Sequence, residues 1–377
     1  MENLPATMKG MVYLGERSVE IKEFPVPKPR RGEALLKMKA SSICGSDLHA
    51  IYRLPGSCIG IFLPEKWMRN QEGYFDCIGG HEPAGEIVIL GDGNNAGFKV
   101  GDRCLVFHVS GCYECQDCSE TRYCACTTPM AQGVINENGQ IEGAQGRRAY
   151  GWQRDGGHAE YVLCDIQTLI KLPDFLTYLD GAMIACGYGT AYSAVMKLQP
   201  RPQQTCFVIG LGPVGLAVAQ ICLQLGAKVY GYEVVPGRRE TAKSFGIETI
   251  VREEDVPIAE DGVAPRNVGF DITFDVTGVA AGRIMAIRSA KRWGTVMMIG
   301  GYNEVTLKPS PWILQKQLTI RGSWVFSADE GRQLCEDLVR WNLHPDSLIS
   351  HTFPIEEAAQ AYEIFDKGLA NKVAIVG

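Results

Sequence analysis

Residues 206–226 read CFVIGLGPVGLAVAQICLQLG. A short apolar run, Cys206–Ile209, stops at Gly210-Leu211-Gly212-Pro213-Val214-Gly215, and a longer apolar pattern, Val214–Gly226, opens inside that glycine cluster. The first run has the length of a strand buried on both faces; the second has the length of a helix and ends at a glycine. The glycines satisfy G-x-G-x-x-G. Gly210 permits a tight turn, Gly212 lets the backbone approach a pyrophosphate, and Gly215 lets helix and strand pack closely. The helix N-terminus then offers an anion its unpaired N–H groups and the positive end of its dipole. A further strand pattern, Lys228–Glu233, ends in an acid 23 residues after Gly210. Glu233 can accept hydrogen bonds from both hydroxyls of a ribose and repels a 2′-phosphate, so the expected cofactor is NAD. Arg238–Arg239 stand close enough in sequence to receive a phosphate, which keeps NADP as the lesser alternative.

The same rhythm continues downstream, with strand-like Asp271–Val276, a helix through Gly282–Ala290 and strand-like Thr295–Ile299. Strands alternating with helices imply a doubly wound parallel sheet. Upstream the texture differs. Ala34–Ala40, Ala84–Leu90 and Arg103–Val109 are short strand-like runs between Gly- and Pro-rich breaks, and helical signals are sparse until about Asp180. After about Phe326 the pattern is mixed and closes on the strand-like Lys372–Val376. This order reads as one α/β domain inserted between two parts of a β-rich domain.

Composition narrows the function. The 377 residues are 46% hydrophobic and 21% charged, as in a globular protein of about two domains. The formal charge is −6, from 37 basic and 43 acidic residues without long runs of one sign, so no nucleic-acid partner is expected. No apolar stretch approaches the roughly 20 residues needed to span a bilayer. The opening MENLPATMKGMVYL lacks a signal pattern, giving a cytoplasmic expectation. In such a chain, 14 cysteines point to metal ligands and buried thiols more than to disulfides.

Spacing supports that reading. Cys112, Cys115, Cys118 and Cys126 read C-x2-C-x2-C-x7-C, too close for unstrained disulfides but suited to one tetrahedral zinc. Four thiolates leave no open position, so this zinc is expected to be structural; Cys124 is the one rival for the fourth ligand. A second constellation is dispersed: Cys44-Gly45-Ser46-Asp47-Leu48-His49, then Gly80-His81-Glu82, then Cys186. Together these supply the soft and borderline ligands of a catalytic zinc, with room for substrate at the fourth position.

At these residues the chain resembles the medium-chain, zinc-dependent alcohol dehydrogenases. The resemblance runs through CGSDLH, GGHEPAGEI, the four-cysteine lobe, DGGHAEY, GLGPVG and the closing KVAIV, and so covers nearly the whole chain. It implies a β-rich GroES-like catalytic domain at 1–187 and 327–377, with the structural zinc lobe at about 111–127, and a Rossmann domain at 188–326. It implies two zinc ions per subunit, a small alcohol or carbonyl substrate, and a homodimer or homotetramer. Cys44, His81 and Cys186 match the catalytic zinc ligands and Glu82 the adjacent acid that approaches the metal during exchange. Asp47 matches the carboxylate that orients the imidazole, Ser46 the hydroxyl that touches the substrate oxygen, and His49 the outer end of a proton relay through the cofactor ribose. Thr190 and Val214 fall where the family lines the nicotinamide, and Lys372 where a basic side chain meets the pyrophosphate.

Two departures bear on the substrate. Cys44 and His81 lie 37 residues apart, longer than is usual in the family, and the extra material falls within Ile51–Cys77. This loop carries Tyr52, Trp67, Tyr74 and Phe75, among other apolar residues, and is expected to cap the substrate pocket in favour of a bulky or apolar alcohol. Packing on a neighbouring subunit, or on itself, is the competing role. Gly45 stands where some members carry a basic residue toward the pyrophosphate. CGSD leans toward polyol and secondary-alcohol members, whereas Cys186 differs from the carboxylate of sorbitol-type members, so the subclass stays open. A non-catalytic relative would be expected to have lost a ligand or relay residue, and a zinc-independent reductase usually lacks the cysteine lobe; this chain keeps both sets.

Overall fold

The computed structural model describes residues 4–54, 77–128, 134–135, 141–142, 146–258, 265, 267–301 and 303–377. The chain divides into two units, Met1–Gly189 with Phe326–Gly377, and Thr190–Val325. Most of the Ile51–Cys77 loop, and with it the expected pocket cap, lies outside the described residues.

In the first unit the hub is the strand Glu33–Ser42. Along one edge it pairs antiparallel with Glu82–Leu90; its other edge is shared, residues 33–37 pairing with Tyr161–Asp165 and residues 40–42 with Val373–Val376. The sheet continues from Glu82–Leu90 to Arg103–Val106 and Leu169–Lys171, and from Val373–Val376 to His351–Pro354. Leu36, Ile87, Val106 and Val162 pack together in one core. This topology converges three strand ends, because Ser42 pairs with Glu82 on one side and Ala374 on the other. Cys44 leaves the first end, His81 enters the second and Lys372 enters the third. Residues far apart in sequence are thereby brought together by register alone.

The second unit holds six parallel strands in the order Glu248–Ile250, Lys228–Tyr232, Thr205–Ile209, Phe270–Asp275, Ala290–Met298, Thr319–Gly322. The order reverses between Thr205–Ile209 and Phe270–Asp275, the kind of switch point where doubly wound sheets bind ligands. Phe207, Ile209, Met285, Ile287 and Val296 form its core on one side. The helix Pro213–Gln224 begins with proline at its first turn, where the missing N–H costs nothing.

Three details differ from the sequence expectation. Arg103–Val109 is not one strand: pairing stops at Val106, and Phe107 turns its N–H to the Thr168 carbonyl at 2.8 Å. The edge strands Glu248–Ile250 and Thr319–Gly322 lack an apolar run and left no signal. The N-terminal hairpin, Thr7–Gly15 with Ser18–Pro25, closes through Glu16 and Arg17, both at positive φ (49° and 61°), a turn that normally advertises itself with Asn or Gly.

Candidate active site

Cys44 caps a single helical turn, Gly45–Asp47, and its backbone N–H donates to Asp47 Oδ2 at 3.0 Å. Asp47 Oδ1 accepts from His81 Nδ1 at 2.8 Å and from the indole Nε1 of Trp152 at 2.9 Å. With Nδ1 donating to Asp47, the lone pair of His81 is on Nε2, and the Ser46 hydroxyl lies 3.4 Å from that atom. Cys186 arrives on a widened π-helical turn, Ile184–Tyr188, a backbone irregularity frequent at functional sites. His108 braces that turn by donating from Nδ1 to the Ala185 carbonyl at 2.7 Å, and burial lowers its pKa to about 4, keeping the ring neutral. The ligand atoms of Cys44, His81, Glu82 and Cys186 all lie within 4.8 Å of one another.

The electrostatics describe a place for a cation. A hydrogen bond from Cys186, working against burial and aided by the Lys372 charge, holds the Cys44 thiol well below its usual range; Cys186 is pushed well above. A metal ion between the two sulfurs would let both bind as thiolates. Burial opposes the charge of Asp47, but the adjacent His81 outweighs it and holds this carboxyl below the usual range. Two thiols, an imidazole and a carboxylate suit zinc.

Glu82 and Lys372 form a buried pair. Glu82 Oε2 accepts from the Ser42 hydroxyl and from Lys372 Nζ, each at 2.5 Å, while Oε1 is buried without a hydrogen-bond partner. Burial raises the Glu82 pKa to about 7, even with Lys372 beside it. The Lys372 ammonium, expected near a pyrophosphate, is 2% exposed and pairs with Glu82. The cause is register, since the strand beginning at Val373 lies against Ser42.

The cysteine lobe is a second cluster. The sulfur atoms of Cys112, Cys115, Cys118 and Cys126 lie within 4.8 Å of one another. Backbone N–H groups of Cys115 and Cys112 point at Cys112 Sγ and Cys126 Sγ, at 3.3 and 3.4 Å. Cys124 Sγ instead faces the Phe326 carbonyl at 3.9 Å. This donor set also fits zinc, with every position filled by sulfur.

In the second unit Gly210 has φ +89°, and a Cβ on Gly215 would strike the Gly210 carbonyl. A Cβ on Gly212 would meet only Arg238 Nη1 within 4 Å, at 3.9 Å, so this backbone is open to a ligand. Val214 lies in the first turn of Pro213–Gln224, and Thr190 lies near the start of the helix Gly189–Met196. Glu233, just past the strand Lys228–Tyr232, accepts from the N–H groups of Leu211 and Val235, both at 2.9 Å. Arg239 is spent on the carbonyls of Glu233 and Val234, while Arg238 Nη1 stands 3.8 Å from Glu233 Oε2.

Residues 30–174 match the family profile described as Alcohol dehydrogenase GroES-like domain, and residues 213–341 the one described as Zinc-binding dehydrogenase. The uncharacterized zinc-type alcohol dehydrogenase-like protein YphC of Escherichia coli (strain K12) is 38% identical over 375 residues, covering 98% of each chain. The chain belongs to the zinc-dependent medium-chain alcohol dehydrogenases. The sorbitol dehydrogenase of Bacillus subtilis (strain 168) is 28% identical to this dehydrogenase, over 96% of its chain and 94% of the relative. The alcohol dehydrogenase TADH from Thermus sp. ATN1 superposes with a TM-score of 0.80 at 26% identity, covering 98% of this chain and 99% of that one. This dehydrogenase is therefore an oxidoreductase of the CH–OH group that uses zinc and a nicotinamide cofactor, with an alcohol or carbonyl as its small-molecule substrate. Among the described residues, no helix is long and apolar enough to cross a membrane.

Trp152, Ser42, His108 and Arg53 gave no signal in the sequence, because each acts through a contact made across the fold. Trp152→Phe keeps the aromatic bulk but removes the indole donor to Asp47. It is expected to weaken zinc binding or turnover by roughly 10-fold or more, read by chelator competition and by initial rates. Wild-type values for both would show that the indole contact is only packing.

Proposed function

We propose that this dehydrogenase holds two zinc ions per chain and uses NAD to oxidise a secondary alcohol or polyol, or to run the reverse reduction. One zinc would sit on Cys44, His81 and Cys186, the other on Cys112, Cys115, Cys118 and Cys126. The observation that carries this reading is the Ser46 hydroxyl 3.4 Å from His81 Nε2, beside ligand atoms within 4.8 Å of one another. When bound, zinc supplies a Lewis acid that lowers the pKa of an alcohol, and the nicotinamide supplies the hydride acceptor. Asp47 fixes the His81 tautomer and ring plane. Ser46 accepts the proton of the substrate hydroxyl and passes it outward, and His49, exposed five residues beyond Cys44, delivers it to solvent. Glu82 keeps Oε1 free to approach the metal during exchange, and Lys372 balances its charge.

The cofactor would lay its pyrophosphate on Gly210, Gly212 and Gly215 and its nicotinamide near Thr190 and Val214. Glu233 supports NAD: it is 5% exposed, and two backbone N–H groups stabilise its charge. Glu233→Ser leaves Arg238 without its acidic neighbour and is expected to raise the preference for NADP over NAD on the order of 10-fold or more. The ratio of kcat/KM for the two cofactors measures this, and an unchanged ratio would remove Glu233 from the ribose site.

The likeness to a sorbitol dehydrogenase supports a polyol or secondary alcohol. A homodimer or homotetramer through the sheet edge Thr319–Gly322 is supported by the exposed Trp293, Leu314 and Trp324. A cytoplasmic address agrees with two clusters of cysteines placed as metal ligands, which need reduced thiols. The test is a panel of polyols, secondary alcohols and aromatic alcohols with NAD and with NADP, read by near-ultraviolet absorbance. Turnover confined to small primary alcohols would overturn the substrate class; none with either cofactor on zinc-replete enzyme would overturn the mechanism.

A further inference from the structure

His49 lies on a widened turn, Leu48–Tyr52, and Arg53 caps it, its N–H reaching back to the Leu48 carbonyl at 3.0 Å. This geometry sets Arg53 Nη1 3.1 Å from His49 Nδ1. A guanidinium donates at five N–H groups and accepts at none, and it stays charged at any working pH. Nδ1 must therefore be the acceptor, and the neutral ring carries its proton on Nε2. The fork is fixed from behind. Arg53 Nε donates to Asp366 Oδ1 at 2.5 Å, and Asp366 Oδ2 accepts from Arg17 Nε at 3.0 Å. Asp366 ends the helix Ala358–Asp366, and Arg17 belongs to the hairpin turn, whose Glu16 and Arg17 N–H groups bind the Leu54 and Tyr52 carbonyls at 2.8 and 2.7 Å. The Asp366 side chain is 11% exposed and that of Arg53 32%, so this is not a solvent-screened surface pair.

We propose that Arg53, anchored by Asp366, is a positioning residue that fixes the orientation and tautomer of His49 and so tunes the outer end of the proton relay. This rests on the relay role of His49 proposed above. Among the described residues, the charged and titratable groups facing the ring are Arg53 on its own turn, Asp366 from the C-terminal helix and Cys44 at the head of the preceding helical turn. Partial burial of the ring, then the Arg53 charge, lower the His49 pKa, and these outweigh Cys44 and Asp366. Protonating the ring at Nδ1 also costs the Arg53 hydrogen bond. His49 therefore stays neutral at lower pH than a free imidazole and sheds a proton readily, which favours alcohol oxidation toward acid pH. The imidazole only takes up and releases a proton, so no other reactant is consumed.

Two readouts test this on the zinc-replete enzyme. In the first, isotope-labelled histidines are titrated by NMR, with His49→Gln identifying the His49 signal among the six histidines. The second is the acid limb of the kcat profile for alcohol oxidation. In Arg53→Gln the His49 pKa is expected to rise by about one pH unit, with the acid limb moving up equally. Arg53→Lys keeps the charge without the fork and is expected to fall between; it carries the comparison should Arg53→Gln fail to fold. An unmoved His49 resonance overturns the proposal, as does a limb shift that persists when Arg53→Gln is made in the His49→Gln background. If the resonance moves and the limb does not, the relay assignment of His49 falls while Arg53's hold on the ring stands.

Discussion

Cys44→Ser is expected to lower alcohol oxidation by at least about three orders of magnitude while leaving one zinc bound. Lewis-acid stabilisation of developing negative charge is worth several kcal/mol, and each ~1.4 kcal/mol is tenfold in rate. The serine hydroxyl is a poor zinc ligand at neutral pH, and losing Cys44 leaves His81, Cys186 and the lysine-paired Glu82. The scaffold should survive, because His81 keeps Asp47 and Trp152, and the Ser42–Glu82–Lys372 contacts do not involve the Cys44 thiol. The measurement pairs metal analysis of the purified chain with nicotinamide reduction. One zinc and no turnover is the expected result. Near-normal turnover would remove Cys44 from the catalytic set, and loss of both zincs would mean that the two clusters are not independent.

How much of this site was legible in the sequence depends on how each contact is made. Cys112, Cys115, Cys118 and Cys126 are local, so spacing alone announces them. Gly210, Gly212 and Gly215 are likewise legible, because each is required by the backbone rather than by a distant partner. Cys44, His81 and Cys186 were reached through family resemblance, since what unites them is the pairing of Ser42 with Glu82 and a π-helical turn, and neither leaves a periodicity. Lys372 shows what spacing leaves out: its partner Glu82 is 290 residues away, and only strand register brings the two together. Trp152, 105 residues from Asp47, is the same kind of case without a motif to flag it. The parallel sheet was readable because the apolar strand Thr205–Ile209 runs into the glycine cluster and a helix, and that alternation repeats; its edges were not, because Glu248–Ile250 and Thr319–Gly322 are short and half solvated.

Cys115→Ser is expected to remove the other zinc and to act on stability rather than on chemistry. The lobe carries little apolar material of its own, chiefly Cys118, Tyr123 and Cys124. It is tied to the rest of the first unit by the Tyr113 hydroxyl donating to Asp165 at 2.6 Å and by the Ala328 N–H donating to the Thr121 carbonyl at 3.1 Å. Without metal its thiols disagree: hydrogen bonds, led by that of Thr128, draw Cys112 down to about 6, whereas burial pushes Cys118 far up. A zinc ion would resolve the conflict by holding all four as thiolates, and that binding energy would be folding energy. The lobe leans on a sheet that forms without it, so only part of the full value is at stake, about 3 kcal/mol, or a Tm lowered by roughly 4 °C in a chain of this size. Calorimetry with metal analysis checks this, and kcat per folded molecule should stay near wild type. Cys124→Ser is the discriminating control. With its sulfur turned to the Phe326 carbonyl, it should keep both zincs and most of the stability. If Cys124→Ser loses a zinc and Cys126→Ser does not, the fourth ligand has been assigned to the wrong cysteine.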